Sequence, residues 1–169
     1  MVQIEQHVWG MTPEGEAIIL YTMRNDKGAE VKISNFGAAI VSVTMPDREG
    51  RMADMVLGYK HPEGYFFDGA ASGKSVGRCA NRIGGARFTI DGRSYRVTAN
   101  EGENCLHGGI EGFHKKLWEF TCEENAVTFS YTSPDGEEGF PGAVRVEVTY
   151  RLIDNQLTIA YKAAAEQST

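Results

Sequence analysis

Val144-Arg145-Val146-Glu147-Val148-Thr149-Tyr150-Arg151 decides the fold class. Val144, Val146, Val148 and Tyr150 alternate with Arg145, Glu147, Thr149 and Arg151. A period of two places apolar side chains on one face and polar ones on the other, the pattern of a half-buried strand. Asp154-Asn155 then makes a turn, and Leu157, Ile159 and Tyr161 alternate again, so the two segments read as a hairpin. Working outward, Arg87–Ile90 and Arg93–Val97 flank Asp91-Gly92. Asp-Gly favours the positive φ angles of primed hairpin turns, which makes a second hairpin. Ala17–Arg24 and Glu30–Asn35 flank Asn25-Asp26-Lys27-Gly28, and Trp118–Cys122 and Ala126–Thr132 flank Glu123-Glu124-Asn125. Ile40–Met45 is β-rich and stops at Pro46, and Met52–Leu57 is a shorter candidate. No stretch reads as a convincing helix. The best candidate, Tyr161–Gln167, offers three alanines. About nine strands joined by short turns predict an all-β, mostly antiparallel sandwich or barrel.

The rest of the chain bounds the function. It has 169 residues, the size of one domain with its own core, and residues 1–169 show no linker or repeat. Seventeen Lys+Arg against 23 Asp+Glu give a net charge of −6 and no basic cluster, which argues against nucleic-acid binding. No apolar run is long enough for a membrane helix. Met1-Val2-Gln3-Ile4-Glu5-Gln6 lacks the basic-then-apolar pattern of a secretory signal. Cys79, Cys105 and Cys122 are odd in number and lack paired spacing. They suit a reducing compartment, so a cytoplasmic protein without a metal site is expected. The 20 glycines, about 12% of the chain, exceed the usual ~7% and fall between strand-like segments, as many tight turns require.

Two long segments do not alternate, Gly58–Gly85 and Ala99–Lys116. Loops on a rigid β scaffold are where binding chemistry collects. Gly69-Ala70-Ala71-Ser72-Gly73-Lys74-Ser75 imitates a phosphate-binding loop. Its first glycine position holds Asp68, however, and Val76–Asn81 is a poor helix, so it reads as an ordinary Gly/Ser loop. Cys105-Leu106-His107 brings two metal-ligand types together without the four ligands that a structural zinc site needs.

Four segments in order carry more information. They are Gly77-Arg78-Cys79-Ala80-Asn81-Arg82-Ile83, Ala86–Gly92 with Tyr95, Asn100–Gly109 with Gly112-Phe113 and Trp118, and Ser133–Gly142. With Ile33–Ala38 before them, they resemble the aldose 1-epimerase (galactose mutarotase) family across the whole chain. The resemblance implies the family's large β-sandwich and cofactor-free interconversion of the α and β anomers of hexoses such as galactose and glucose. By resemblance, Asn81 and Arg82 bind sugar hydroxyls, and His107 contacts the sugar near the reacting oxygens as a catalytic group. The side chains suit that task. Asn81 offers donor and acceptor, Arg82 a fork of donors, and His107 either, with an ordinary pKa near ~6.5 that favours acid–base work. Gly108 and Gly109 allow close backbone approach.

Each residue also has a bland reading. His107 alone suits a hydrogen-bonded loop, Arg82 a surface ion pair, Asn81 a turn cap. Trp118 at a strand start reads as core rather than a sugar platform. Asp135, Glu137 and Glu138, set among Ser133-Pro134, Gly136 and Gly139, read as a charged turn rather than a hydrolase pair. His7, His61 and His114 receive no role, although His114 is close to His107 in sequence. The resemblance covers the N-terminal half of the family only. The family's second histidine, sugar-binding aspartate and glutamate base have no counterpart among these residues, so the sandwich is expected to be incomplete on its C-terminal side. Unpaired edges would then favour self-association or a second chain. A piece of a longer enzyme and one chain of a split enzyme are preferred over a noncatalytic carbohydrate-binding sandwich, because Asn81, Arg82 and His107 are all present. A phosphosugar epimerase ranks lower for want of a basic cluster.

Overall fold

Thirteen strands, one short α-helix and three single-turn 3₁₀ helices make up the computed structural model, which describes residues 1–169. Strands β1 (Val2–Met11), β2 (Ala17–Asn25), β3 (Glu30–Ser34), β4 (Ala39–Pro46) and β5 (Met52–Asp54) form an antiparallel sheet in chain order. The single turn α1 (Glu63–Phe66) follows. Next come the short strands β6 (Arg82–Ile83), β7 (Arg87–Ile90), β8 (Arg93–Arg96) and β9 (Cys105–Leu106). Strands β10 (Glu119–Glu123), β11 (Ala126–Ser133), β12 (Val144–Ile153) and β13 (Gln156–Ala165) make a second antiparallel sheet, again in chain order. β6 pairs with β9 and β7 with β8 as separate ribbons.

The alternation along β12 does what its period demands. Val148, Tyr150 and Leu152 are buried against Tyr21, Met23, Val31 and Ile33 of the first sheet, with Val127 and Phe129 beside them. The two sheets thus share one core as a sandwich, which excludes the barrel. The Tyr150 hydroxyl crosses between them and donates to the Ala38 carbonyl at 2.6 Å. A second cluster, Ile18, Leu20, Phe36, Val41 and Tyr65, covers the outer face of the first sheet. A third, Ala86, Val97, Cys105 and Phe140, lies under the short ribbons.

Three sequence expectations are corrected. β1 escaped notice because it is an edge strand whose burial does not follow a clean alternation. The helix candidate Tyr161–Gln167 is mostly strand, because the ladder from Val148↔Tyr161 to Val144↔Ala165 overrides the helix preference of alanine. The Met52–Leu57 candidate pairs only as far as Asp54. The Asp91-Gly92 turn takes positive φ at both residues, 50° and 77°, as a primed hairpin requires. Trp118 is core: it is 2% exposed, and its indole N–H donates to the Phe113 carbonyl at 3.1 Å. In the Gly/Ser loop, the Asp68 carboxylate itself accepts the amides of Ala70 and Ser72, at 3.0 and 2.5 Å. It occupies backbone donors that a phosphate would need.

Candidate functional site

Asn81 precedes β6, and His107 follows β9. The pairing Arg82↔Leu106 therefore sets the two residues side by side. Both take left-handed backbone, φ 61° and 53°. The His107 amide donates to the Asn81 carbonyl at 3.1 Å, and the Asn81 amide donates back to His107 Nδ1 at 3.1 Å. A ring nitrogen that accepts a backbone N–H carries a lone pair, which puts the neutral ring's proton on Nε2. His107 is half-buried, and Nε2 has no protein partner.

Arg82 continues the row. Its Nη1 donates to Asn81 Oδ1 at 3.1 Å, and its Nε donates to Glu101 Oε2 at 2.6 Å. Nη2 donates to the other Glu101 oxygen. These hydrogen bonds hold the Glu101 carboxyl below its usual range and raise the Arg82 guanidinium. One N–H on each terminal Arg82 nitrogen and the Asn81 Nδ2 group stay without a protein acceptor. The structure thus brings the three sequence-derived residues together in one hydrogen-bonded row with unused donors. The ion-pair reading of Arg82 is also met, through Glu101.

The turn that carries His107 is clamped from two directions. Asn100 Oδ1 accepts the Leu106 amide at 2.6 Å, and its Nδ2 donates to the carbonyls of Leu106 and Gly109, at 2.9 and 3.0 Å. From the loop between β11 and β12, Glu138 accepts the amides of Ile110 and Glu111, at 3.1 and 2.9 Å. A side chain at Gly108 would strike the Gly77 carbonyl, and one at Gly109 the Glu138 carboxylate. The close approach that these glycines permit is therefore to the protein's own groups.

The acidic turn is a structural fixture, as its residue types suggest. Burial alone would raise the Glu137 carboxyl, but hydrogen bonds from Ser133, Tyr131 and Lys116 outweigh it and hold it below its ordinary value. Asp135 accepts the Gly142 amide at 2.5 Å. Arg78 drives its guanidinium into the same loop. It donates to Ser133 Oγ at 2.9 Å and to the carbonyls of Pro134, Pro141 and Gly142, at 2.7, 2.9 and 2.6 Å. Sequence reasoning assigned no role to Arg78, Asn100 or Glu101, and read Glu138 only as part of a charged turn. Their signal was membership in the same polar segments as the row they support.

An apolar hollow lies beside this row. A crevice of about 660 Å³ is lined by Val76, Ile83, Phe88, Phe140, Val146 and Tyr161, among others, and excludes Asn81, Arg82 and His107. Its walls are almost wholly apolar and offer little to a ring of hydroxyls. The donor-rich row beside it presents the polar groups that the crevice lacks.

Comparison with known proteins gives the same direction. A family profile described as aldose 1-epimerase matches residues 20–169. The chain is 42% identical to galactose mutarotase of Rattus norvegicus, over all of this chain and 49% of that one. It is 38% identical to aldose 1-epimerase of Escherichia coli K12, over 93% of this chain and 46% of that one. A crystal structure of galactose 1-epimerase from Lactobacillus acidophilus superposes with a TM-score of 0.84 at 25% identity, covering 99% of this chain and 50% of that one. The chain spans about half the length of the relatives it matches. With most of its residues under the family profile, this chain belongs to the aldose 1-epimerase family.

Proposed function

We propose that the chain supplies the sugar-binding part of an aldose 1-epimerase site that interconverts the α and β anomers of a hexose such as galactose or glucose. The reading is carried by the row His107–Asn81–Arg82, with its unused donors. Mutarotation breaks the bond between C1 and the ring oxygen. The C1 hydroxyl loses its proton, the ring oxygen gains one, and the open-chain aldehyde turns about C1–C2 before it recloses. Asn81 and Arg82 hold hydroxyls and fix the ring. His107 meets the sugar near the reacting oxygens through Nε2–H, a donor suited to an oxygen that gains negative charge. An acid and a base beyond this row complete the reaction, and we assign them to residues outside these 169, in a continuation or a second chain. We place the reaction in the cytoplasm, where three free thiols stay reduced.

Galactose titration followed through the imidazole signals tests the reading. Perturbation of His107 at saturating sugar is expected, and unaffected His107 signals would overturn it. Polarimetry of freshly dissolved α-D-galactose, against a buffer blank and His107→Ala, then separates the two activities. Acceleration lost in the variant makes the chain a working epimerase by itself. Binding without acceleration leaves it a sugar binder that needs the rest of the site.

A further inference from the structure

We propose that Glu138 is a positioning residue that fixes the orientation of the His107 ring, in support of the sugar contact proposed above. Both of its carboxylate oxygens are engaged, one by the Ile110 amide at 3.1 Å and one by the Glu111 amide at 2.9 Å. Successive backbone N–H groups form a concave nest for an anion, and here the anion is a side chain from a loop far away in sequence. Both oxygens face the amides of the turn, so its contribution runs through the turn.

The surroundings are built around this contact. Gly109 has φ 108°, and a Cβ there would overlap the Glu138 carboxylate, so the turn requires glycine where the acid lies. Glu138 itself is held in left-handed backbone at φ 51°, a conformation that costs a non-glycine residue energy. Its carbonyl accepts the Thr98 amide at 2.9 Å, which ties it to the end of the β7–β8 ribbon. Arg78 holds the far side of the same loop through Pro141 and Gly142. The segment Leu106–Glu111 is thus gripped by Asn100 at its start and by Glu138 at its end. His107 lies between the two grips, and its Nδ1 stays on the Asn81 amide only while the turn keeps its place.

The test compares the 169-residue chain with Glu138→Ala and Glu138→Gln, each labelled with ¹⁵N-histidine, by long-range proton–nitrogen correlation at pH 8. In the parent, His107 should show one tautomer, protonated at Nε2. In folded Glu138→Ala, the His107 signals should move toward a mixture of both tautomers while those of His7, His61 and His114 stay in place. Galactose affinity should fall about tenfold, roughly the size of one lost hydrogen bond to a charged acceptor. Unchanged His107 signals in folded Glu138→Ala would overturn the proposal, as would a parent already mixed between tautomers. Should Glu138→Ala fail to fold, Glu138→Gln decides. It keeps the shape and one acceptor oxygen but turns an NH₂ toward the other amide, so a smaller shift in the same direction is expected, and none would overturn the proposal. If galactose leaves the parent's His107 untouched, the sugar reading fails by itself, and the tautomer comparison still judges the positioning role.

Discussion

A histidine can offer a ligand a proton or a lone pair, and its fixed neighbours choose between them. For His107 the Asn81 amide takes the lone pair of Nδ1, so the ring turns a donor outward. Sequence showed the three residues of the row but not this choice, because it depends on a backbone amide brought alongside by a two-residue strand pair. Glu138 was hidden for a related reason. Its residue type in a Gly/Pro-rich segment reads as a solvated turn, and only folding carries it to Ile110 and Glu111. His114 shows the opposite environment. It is 9% exposed, and its Nδ1 has no partner. Burial first, then the charges of Lys74 and Lys115, depress its pKa to about 4, against weak opposition from Asp68. The fold therefore keeps His114 neutral. The stability it contributes is whole above about pH 6.5, falls as pH drops toward 4, and changes no further below. Discounted for solvent screening, the loss is about 2 kcal/mol. Urea unfolding of the parent and His114→Leu at pH 7.5 and 4.5 should show the parent losing about that much more than the variant. Equal losses in the two chains would contradict the assignment.

Among the elements, the β7–β8 hairpin isolates the energy of a single backbone choice. Gly92 has φ 77°, and a Cβ built there meets nothing. Gly92→Ala should therefore cost only the conformational penalty, about 1 kcal/mol, or a melting point lower by a few degrees. Gly139 also has positive φ, 86°, but its Cβ would run into the Arg96 carbonyl, so Gly139→Ala should cost distinctly more. Equal melting points for the two variants would refute this account of the hairpin. This turn was legible from Asp91-Gly92 alone, as β12 was from its alternation. The β6–β9 pair was not, since two residues carry no period. Nor was the end of β13 legible, where Ala163, Ala164 and Ala165 are strand only because β12 supplies their hydrogen-bond partners.

At the scale of the whole molecule, each sheet keeps its strands in chain order, so most neighbours in space are neighbours in sequence. That is why the sandwich could be read from local patterns. β13 is the edge of its sheet, and it exposes Ile159 and Tyr161 at 39% and 64%. Below Tyr161 opens the apolar crevice beside Phe88 and Phe140. An unpaired strand next to uncovered apolar surface invites another chain. Sedimentation equilibrium is expected to show concentration-dependent association, weakened by Tyr161→Lys. A monomer across the accessible concentrations would refute that expectation. The loop between β11 and β12 has a different consequence. Its adjacent acids face opposite ways: Glu137 turns to Tyr131, Ser133 and Lys116, while Glu138 reaches the turn after His107. Inserting one residue ahead of them would bring Glu137 to the place of Glu138, and removing one would bring Glu138 to the place of Glu137, so either change breaks both sets of contacts. A change in the length of this loop would therefore reach the turn that carries His107, although the two are separate in sequence.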